Sequence, residues 1–377
     1  MEKVKVNTRE KAYEIHIESG LFSKLPEVFK EKYSGKKIAL VSDNNVYKIY
    51  GESFKAGLVK AGFEVTEIVF NAGEENKNIS TLSQIYSVLA ENFFTRSDIV
   101  VALGGGVTGD MAGLAAATFL RGMGFIQIPT TLLAMVDSSI GGKVAVDLPQ
   151  GKNLVGAFYQ PDAVYTDPQL LKTLPDLQFS DGMAELLKHG FIRDRNLFNT
   201  LILKDVINLE HEPESIAGLR SLLSDKMDYI IKESCIIKRD IVEQDVNDNG
   251  IRQLLNFGHT IGHAIERVQN YSGYTHGQAI SIGMVIMTRL TEKMGLTKAG
   301  KSRIIENALK MHNLPVFDPA LDIKSVTEAI KIDKKARSGS ITIAYIEEIG
   351  QGKLLKLDIK DLEDKINDVY NDFAFTS

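Results

Sequence analysis

The sequence contains a single cysteine, Cys235, and no long apolar run. One cysteine cannot form a disulfide within the chain, which is typical of a protein from a reducing compartment, so we expect a cytoplasmic location. No apolar stretch approaches the roughly 18 residues that span a bilayer. Residues 1–6 alternate charged and apolar side chains, unlike a secretory signal. We therefore expect no membrane partner.

The sequence also has no excess of positive charge: 44 lysines and arginines stand against 49 acidic residues, and the formal net charge at pH 7 is −5. A general nucleic-acid binder is usually basic overall, so we expect no nucleic-acid partner. An anionic small molecule would need a local cluster of basic side chains. The sequence shows no internal repeat and no low-complexity tract, and its composition is that of an ordinary globular protein.

Strand and helix patterns alternate regularly in the first half of the chain. Short apolar strand patterns lie at 37–42, 64–70, 98–103 and 124–129, with helical periods between the first three, and a hairpin pattern precedes them at 4–17. This rhythm predicts an α/β, doubly wound (Rossmann-like) sheet of mostly parallel strands.

The second half of the chain is dominated by long helical periods. These lie at 181–193, 215–239, 253–268, 278–294 and 301–312, and a strand pattern appears only near 341–346. A chain of 377 residues is long for one core. We predict an α/β domain at 1–175 and a mainly α-helical domain at 176–377, with a proline-rich crossover between about 149 and 181.

A glycine cluster follows the strand pattern at 98–103. Gly104, Gly106 and Gly109 have G-x-G-x-x-G spacing and precede a helix of small residues. Bare backbone lets a diphosphate approach the N–H groups at a helix start. Glycine clusters also serve tight turns between strand and helix, and the acidic residue expected about 20 residues later is missing. The spacing alone leaves both interpretations open.

Two further strand ends carry polar side chains. Glu74 and Lys77 follow the strand pattern at 64–70, and Thr130 and Thr131 follow the one at 124–129. Parallel strands place these ends at one edge of the sheet, where doubly wound folds bind nucleotides. Three polar strand ends favour a dinucleotide.

Histidines and a carboxylate form a second pattern. His259 and His263 are four residues apart on one predicted helix face, and His276 stands at the start of the next helix. Glu185 lies on an earlier helix. A carboxylate and two histidines from separate helices are typical of a catalytic divalent-metal site. Two histidines at this spacing also arise by chance, and the spacing does not say which of them is the ligand.

Polar residues extend both helical patterns. Asn256 and Glu266 lie three residues outside the histidine pair, which predicts a polar stripe in both directions. Lys188 follows Glu185 by three residues and shares its helix face.

Taken together, these motifs resemble the 3-dehydroquinate synthase family, within the sugar phosphate cyclase superfamily, over nearly the whole chain. The matching stretches are 104–110, 129–143, 151–158, 182–185, 254–266 and 276–277. The resemblance implies a dehydroquinate synthase-like fold, with an NAD-binding α/β domain and a helical metal-binding domain.

The resemblance also implies roles for individual residues. It implies that Glu185, His259 and His276 hold Zn²⁺ or Co²⁺, and that His263 handles protons. It implies catalytic roles for His263, Lys143, Lys188 and Asp248. It implies NAD contacts at Asp43, Asn45, Glu74, Lys77, Gly105, Gly106, Val107, Asp110, Thr130, Thr131, Lys152 and Thr173. It implies substrate contacts at Asp137, Lys143, Asn153, Lys188, Lys238, Arg252, Asn256 and Lys335, and at Arg121 reaching in from the second subunit of a homodimer.

The reaction implied by the resemblance converts 3-deoxy-D-arabino-heptulosonate 7-phosphate, a phosphorylated sugar acid, to 3-dehydroquinate and phosphate. This is a carbon–oxygen lyase step of the shikimate pathway of aromatic amino acid biosynthesis. It proceeds through transient oxidation by NAD, β-elimination of phosphate, reduction and intramolecular aldol closure. The lysines and arginine of the substrate set would form the local basic cluster that an anionic ligand needs in an acidic protein.

Three alternatives remain. Another sugar-phosphate cyclase, of the 2-deoxy-scyllo-inosose or valiolone synthase type, would use the same cofactor and metal, although Arg252 and Lys238 favour a sugar acid. A metal-dependent polyol dehydrogenase would release NADH. A non-catalytic NAD- or metal-sensing protein is disfavoured by the intact set of Glu185, His259 and His276.

Some positions depart from the family pattern. Gln278 stands where the family usually has a glutamate, and we expect an amide there to weaken metal binding. Asp248 stands where a glutamate acid–base group is expected. Gln178 and Asp181 replace the usual glutamate and asparagine. These changes affect the expected proton route more than the reaction.

Overall fold

The computed structural model of the protein describes residues 1–203, 216–334 and 339–376. These residues form two compact units. The first unit is Met1–Pro175 with Met227–Arg239, and the second is Asp176–Lys226 with Asp240–Ser377. Among the described helices, none is long and apolar enough to cross a membrane.

The first unit is built on a seven-stranded sheet. Its strands are β1 (Glu2–Asn7), β2 (Ala12–Ile17), β3 (Ile38–Asp43), β4 (Val65–Phe70), β5 (Ile99–Gly104), β6 (Gly124–Pro129) and β9 (Ala163–Thr166), in the spatial order β1-β2-β9-β6-β5-β3-β4. Only the β1–β2 pair is antiparallel. The predicted N-terminal hairpin and doubly wound, mostly parallel sheet are confirmed.

Helices cover both faces of this sheet. They are α1 (Leu25–Tyr33), α2 (Asn44–Val46), α3 (Glu52–Lys60), α4 (Ile79–Glu91) and α5 (Gly106–Thr118), with a π-helical turn at Tyr47–Gly51. On β3, Ala39 and Val41 join a core cluster with residues of α4 and α5. Ile38 and Leu40, which point the other way, are equally buried. Burial on both faces explains why the parallel strands are continuous apolar runs.

The predicted crossover between 149 and 181 is wrong in part, because this stretch contains strands. β7 (Lys143–Leu148) and β8 (Gly151–Phe158) form a separate antiparallel hairpin, and β9 lies inside the main sheet between β2 and β6. Val144 and Val146 of β7 complete the core cluster under α5. The prolines flank these short strands and do not mark a structureless link.

The second unit is mainly helical. Its helices are α6 (Asp176–Ile192), α7 (Arg195–Leu201), α8 (Ile216–Leu223), the end of α9 (Met227–Gln244), α10 (His259–Val268), α11 (His276–Lys293), α12 (Lys301–Met311), α13 (Ile323–Lys334) and α14 (Ile359–Thr376). The predicted strand near 341–346 is part of β10 (Ser340–Glu348), and sequence reasoning missed its antiparallel partner β11 (Gln351–Asp358).

Candidate functional site

Three helices of the second unit supply a carboxylate and two imidazoles. Glu185 lies in the middle of α6, while His259 and His276 are the first residues of α10 and α11. Gly258 has φ +79°, a left-handed conformation that favours glycine and separates α10 from the preceding 3₁₀ turn. Thr275 caps α11. Both histidines are thus fixed at helix starts.

A close crossing of α10 and α11 brings the histidines together. A Cβ on Gly262 would lie 2.9 Å from the Cα of Ile280, and one on Gly283 would overlap the carbonyl oxygen of Gly258. Glycine therefore allows main chain to meet main chain at this crossing. As a result the ring centroids of His259 and His276 are 5.2 Å apart.

The three side chains have the geometry of a metal site. Oε1 of Glu185 lies 3.2 Å from Nε2 of His259 and 3.5 Å from Nε2 of His276. In a tetrahedral zinc site with ligand distances of about 2.1 Å, neighbouring ligand atoms lie about 3.4 Å apart. One carboxylate and two imidazoles also leave positions open for another ligand. The residues therefore fit a catalytic divalent metal ion.

Charges around Glu185 favour its ionised form. Its side chain is fully buried and forms an ion pair with Lys188, which is also buried. Burial alone would raise the pKa of Glu185, but Lys188 and His259 hold this pKa well below its usual range. Burial, reinforced by Lys188, lowers the pKa of His259. An ionised carboxylate and a neutral imidazole are the protonation states that ligate a metal.

The outer nitrogen of each ligand histidine faces an oxygen. Nδ1 of His259 lies 3.2 Å from the carbonyl oxygen of Phe257, and Nδ1 of His276 lies 3.4 Å from Oε2 of Glu266. Burial acts to lower the pKa of His276, but hydrogen bonds with Glu185 and Glu266 raise it to about 10. A metal ion binding here would displace a proton from His276.

Two departures from the family pattern have local structural roles. The side chain of Gln278 accepts a hydrogen bond from the backbone N–H of Thr275, whose hydroxyl accepts one from the N–H of Gln278. This capping box starts α11. The amide of Gln278 is therefore used in the helix cap, and the expected weakening of metal binding stays a prediction. Asp181 accepts a hydrogen bond from the N–H of Gly277 and ties α6 to the same helix start.

His263 is placed beside the metal ligands but is exposed. Its ring centroid lies 5.3 Å from that of His259 and 5.8 Å from that of His276. The predicted polar stripe does not extend to Asn256. This residue belongs to the 3₁₀ turn Ile251–Asn256, which ends before the break at Gly258, so it does not share a helix face with His259.

Two other predicted residues of the second unit, Asp248 and Arg252, lie in or beside the loop between α9 and the 3₁₀ turn Ile251–Asn256. Arg252 is buried, and one of its guanidinium N–H groups donates to the carbonyl of Val246. Asp245 accepts hydrogen bonds from the backbone N–H groups of Gly250 and Arg252 and shapes the loop. Asp248 is half-buried in the same loop with φ +59°. Lys335 lies outside the described residues.

Strand ends of the first unit form a second polar region. β3, β4, β5 and β6 are parallel neighbours, so their carboxyl ends share one sheet edge, as predicted. Asp43 caps α2 through the N–H groups of Asn45 and Val46 and accepts from the hydroxyl of Thr108 at the start of α5. These contacts join the end of β3 to the glycine loop.

The start of α5 suits a phosphate-bearing ligand. Gly105 is the N-cap and Gly106 and Val107 begin the helix, where the first N–H groups have no acceptor within the helix. Thr131 packs against Gly105, and the buried hydroxyl of Thr130 has no hydrogen-bond partner among the described residues. An unsatisfied buried hydroxyl beside a helix N-terminus fits a dinucleotide that carries acceptor groups.

Lys77 is more enclosed than expected for a phosphate-binding lysine. Its ammonium lies 2.6 Å from Oδ2 of Asp110 and donates to Oδ1 of Asn153 at 2.6 Å. Burial raises the pKa of Asp110 to about 6, although Lys77 opposes this rise. Lys77 thus links the loop after β4 with α5 and β8. Lys152 lies 3.9 Å from Oε1 of Glu74 on the same loop.

The other predicted residues of the first unit make different contacts. Nζ of Lys238 lies 2.6 Å from Oδ1 of Asp137. Lys143 is exposed at the start of β7, and Arg121 is exposed with φ +66°. The hydroxyl of Thr173 lies 2.6 Å from that of Tyr50.

Sequence reasoning missed the contacts that Glu266 and Asp181 make. The sequence indicates Glu266 only as part of a polar stripe, and Asp181 only as a departure from the family pattern. A carboxylate seven residues after His259 lies two helical turns along the same helix face, which was a usable signal. The contact between Asp181 and Gly277 had no local signal, because the two residues are distant in sequence.

Comparisons with known proteins agree across the chain. The 3-dehydroquinate synthase N-terminal family model matches residues 67–181, and the 3-dehydroquinate synthase C-terminal model matches residues 182–336. The 3-dehydroquinate synthase of Clostridium kluyveri is 44% identical over 362 residues, 96% of this chain and 97% of its own length.

Two solved structures share the fold. A 2-deoxy-scyllo-inosose synthase, in complex with carbaglucose-6-phosphate, NAD⁺ and Co²⁺, has a TM-score of 0.82 at 24% identity, covering 97% of this chain and 99% of its own. A 2-epi-5-epi-valiolone synthase from Streptomyces hygroscopicus, with NAD⁺ and Zn²⁺ bound, has a TM-score of 0.83 at 23% identity, covering 97% and 98%. From the two family models and the curated relative, the chain belongs to the 3-dehydroquinate synthase family.

Proposed function

We propose that this protein is a 3-dehydroquinate synthase, which converts 3-deoxy-D-arabino-heptulosonate 7-phosphate to 3-dehydroquinate and phosphate in the shikimate pathway. The observation that carries the proposal is the convergence of Glu185, His259 and His276, with ligand atoms within 4.8 Å of one another. It occurs in a chain 44% identical over 96% of its length to a curated enzyme of this name.

We propose that the second unit holds Zn²⁺ or Co²⁺ through these three side chains and that the first unit holds NAD. When bound, the metal ion polarises oxygen atoms of the substrate, and NAD takes up a hydride and returns it. The structures with NAD⁺ and either Co²⁺ or Zn²⁺ support this assignment at the level of the shared fold. The fit of the three ligand atoms to a tetrahedral site supports it independently.

NAD binding is assigned to the strand ends of the first unit. The N-terminus of α5, with Gly105 and Gly106, would receive the diphosphate, because its free N–H groups and helix dipole favour anions. The buried hydroxyl of Thr130 would form a hydrogen bond with the nicotinamide end of NAD or with a ribose. Glu74 is exposed beside Lys77 and can accept hydrogen bonds from ribose hydroxyls.

Basic side chains would hold the anionic groups of the substrate. Arg252 can bind one oxyanion with two parallel hydrogen bonds, whereas Lys143 and Lys188 act as point charges. Lys188 also keeps Glu185 ionised through its ion pair. The main requirement is to hold a flexible, multiply charged anion in one pose, because the later elimination and aldol steps are intramolecular.

His263 is the proposed proton carrier. Its exposed ring lies next to the two ligand histidines, so it can exchange protons with bulk water and with a substrate hydroxyl at the same site. Histidine is the side chain that commonly serves as acid and base near neutral pH. The role of Asp248 in the same proton route remains a prediction from the family pattern.

A phosphate-release assay tests the proposed function. Purified protein is incubated with the sugar-acid phosphate and a catalytic amount of NAD, and phosphate, dehydroquinate and NADH are measured. We expect equal amounts of phosphate and dehydroquinate, no net NADH, loss of turnover with a chelator and recovery with Zn²⁺. Phosphate release from glucose 6-phosphate instead would indicate an inosose-type cyclase, and NADH accumulation with a simple polyol would indicate a dehydrogenase. Either result contradicts the proposal.

We also propose that the protein is a homodimer in which Arg121 serves the site of the partner subunit. Leu154, Val155 and Phe158 are exposed on the β8 strand, and Leu120 is exposed next to Arg121. Leu120 and Arg121 both have positive φ, a strained conformation that is common at functional positions. We propose that a second copy covers these exposed apolar side chains.

Mixed dimers test this role of Arg121. The variants Arg121→Ala and His259→Ala are each expected to be inactive. When the two variants are coexpressed with different tags, half of the dimers contain one subunit of each. If Arg121 acts in the partner's site, one of the two sites in such a mixed dimer has both the native Arg121 and the native His259. Activity should then return to about a quarter of wild type. Continued inactivity in isolated mixed dimers would contradict the proposal.

A further inference from the structure

Glu266 is a buried carboxylate that the reaction does not require as a ligand or as an acid. It lies in the last turn of α10, the residue is 5% exposed, and Oε2 lies 3.4 Å from Nδ1 of His276. Nε2 of the same ring faces Glu185. The imidazole of His276 therefore stands between two carboxylates, one on each side.

With a metal ion bound at Nε2, this arrangement would define the tautomer of His276. A neutral imidazole carries one proton, and the nitrogen that meets the outer carboxylate keeps it while the other presents its lone pair. His259 follows the same rule with a different partner, since its Nδ1 faces the carbonyl oxygen of Phe257. Both ligand histidines are thus oriented with Nε2 inward. The partner of His276 carries a charge, whereas the partner of His259 does not.

We propose that Glu266 is the positioning residue of His276, accepting its Nδ1–H so that Nε2 is held toward the metal position; the inference rests on the proposed metal-dependent function. Residue 278 does not have this role, because Gln278 is used in the capping box with Thr275. The glutamine at 278 is therefore neutral for the metal site, while the carboxylate at 266 is required.

Zinc affinity of matched variants tests this assignment. The wild type, Glu266→Gln and Gln278→Glu are stripped of metal and titrated with Zn²⁺ against a chromophoric chelator. Glu266→Gln should bind Zn²⁺ about 10- to 100-fold more weakly, the usual effect of removing a partner of a ligand histidine. Gln278→Glu should stay within about twofold of wild type, because glutamate also completes a capping box.

Two readouts separate positioning from damage to the fold. The Co²⁺ absorption spectrum of Glu266→Gln should change in shape at saturation, which reduced folding alone would not cause. The thermal unfolding midpoint of the metal-free variant should stay close to that of the metal-free wild type. Glu266→Asp, which keeps the charge, should recover part of the lost affinity. Equal Zn²⁺ affinity for wild type and Glu266→Gln would overturn the inference.

A measurement on the wild type avoids the risk that a variant does not fold. In ¹⁵N spectra of the Zn²⁺-loaded, histidine-labelled protein, His276 should show a protonated Nδ1 and a metal-bound Nε2, with assignment by His276→Gln. The opposite tautomer would overturn the inference. The inference would also be overturned if the wild type bound two equivalents of Zn²⁺ and Glu266→Gln bound only one, because Glu266 would then be a metal ligand. Failure of the wild type to bind Zn²⁺ through Glu185 would instead contradict the proposed function itself.

Discussion

The buried ion pair between Lys188 and Glu185 allows a quantitative prediction for Lys188→Met. Both side chains are at most 1% exposed, so the variant leaves a carboxylate buried without its ammonium partner. Removing one partner of a buried pair costs about 3–5 kcal/mol of stability. We expect the free energy of unfolding of the second unit to fall by this amount when metal is absent.

The pH dependence of this loss has a definite sign. In the wild type Lys188 helps to hold the pKa of Glu185 below its usual range, so this carboxylate stabilises the fold above the unfolded pKa and loses this effect as the pH falls. In Lys188→Met only burial and the histidines remain, and burial raises the pKa. The carboxylate then destabilises the fold more as the pH rises. The difference between variant and wild type should be larger at pH 8 than at pH 5.

Binding of Zn²⁺ should restore the stability that Lys188→Met loses. The ammonium of Lys188 repels a cation at Glu185, so the variant should bind Zn²⁺ at least tenfold more tightly than wild type. Ligand binding stabilises the native state in proportion to its affinity. Urea unfolding followed by far-UV circular dichroism, with chelator and with excess Zn²⁺, measures both effects.

The double variant Glu185→Leu with Lys188→Met is the control, because replacing both members of a buried pair with apolar residues is often nearly neutral. It should be more stable than Lys188→Met in the presence of chelator and insensitive to Zn²⁺. The reasoning is refuted if Lys188→Met unfolds within about 1 kcal/mol of wild type in chelator, or if the double variant is no more stable than the single one.

Three other predictions follow from the second unit. His259→Ala should lose both turnover and bound metal, as measured by phosphate release and atomic emission; full activity would remove His259 from the ligand set. Burial lowers the pKa of His312 to about 4, so between this value and its unfolded pKa of about 6.5 only the unfolded chain takes up the proton. Stability should therefore fall by up to about 3 kcal/mol as the pH drops through this range. The variant His312→Gln can still donate a hydrogen bond to the carbonyl of Leu201. Its free energy of unfolding, measured in urea at pH 7.5 and at pH 5, should change less with pH than that of the wild type. An equal change in both proteins would contradict this prediction. Asp181→Ala should lower the Zn²⁺ affinity by removing the acceptor for the N–H of Gly277, whereas Asp181→Asn should keep it, and equal affinities in chelator competition would contradict this role.

Local patterns predicted much of the first unit. The strand at 98–103, the glycine loop and the helix after it follow from residue types within a few positions of one another, and the structure has β5 and α5 there. β9 was missed because only four residues form it, and its place between β2 and β6 depends on strands far away in sequence. The domain boundary after residue 175 remains a prediction, and no local signal indicates that Met227–Arg239 groups with the first unit.

For the candidate site, the family pattern predicted which residues converge, but not the local backbone that positions them. The family pattern named Glu185, His259 and His276, and the structure brings them together. The helix break at Gly258 was missed because a glycine within an apolar period is compatible with a continuous helix. The use of Gln278 in a helix cap was also missed, although threonine three residues before glutamine is a recognisable capping box.

The glycine crossing between α10 and α11 makes the spacing of His259 and His276 a property of the backbone. Even one methyl group on Gly283 would force the two helices apart. A different metal preference can therefore be engineered only by exchanging side chains on α10 and α11. A change in the distance between the two helix backbones would disturb the packing of the second unit. A library of variants aimed at this purpose should leave both helix backbones untouched and vary only the residues that project from them.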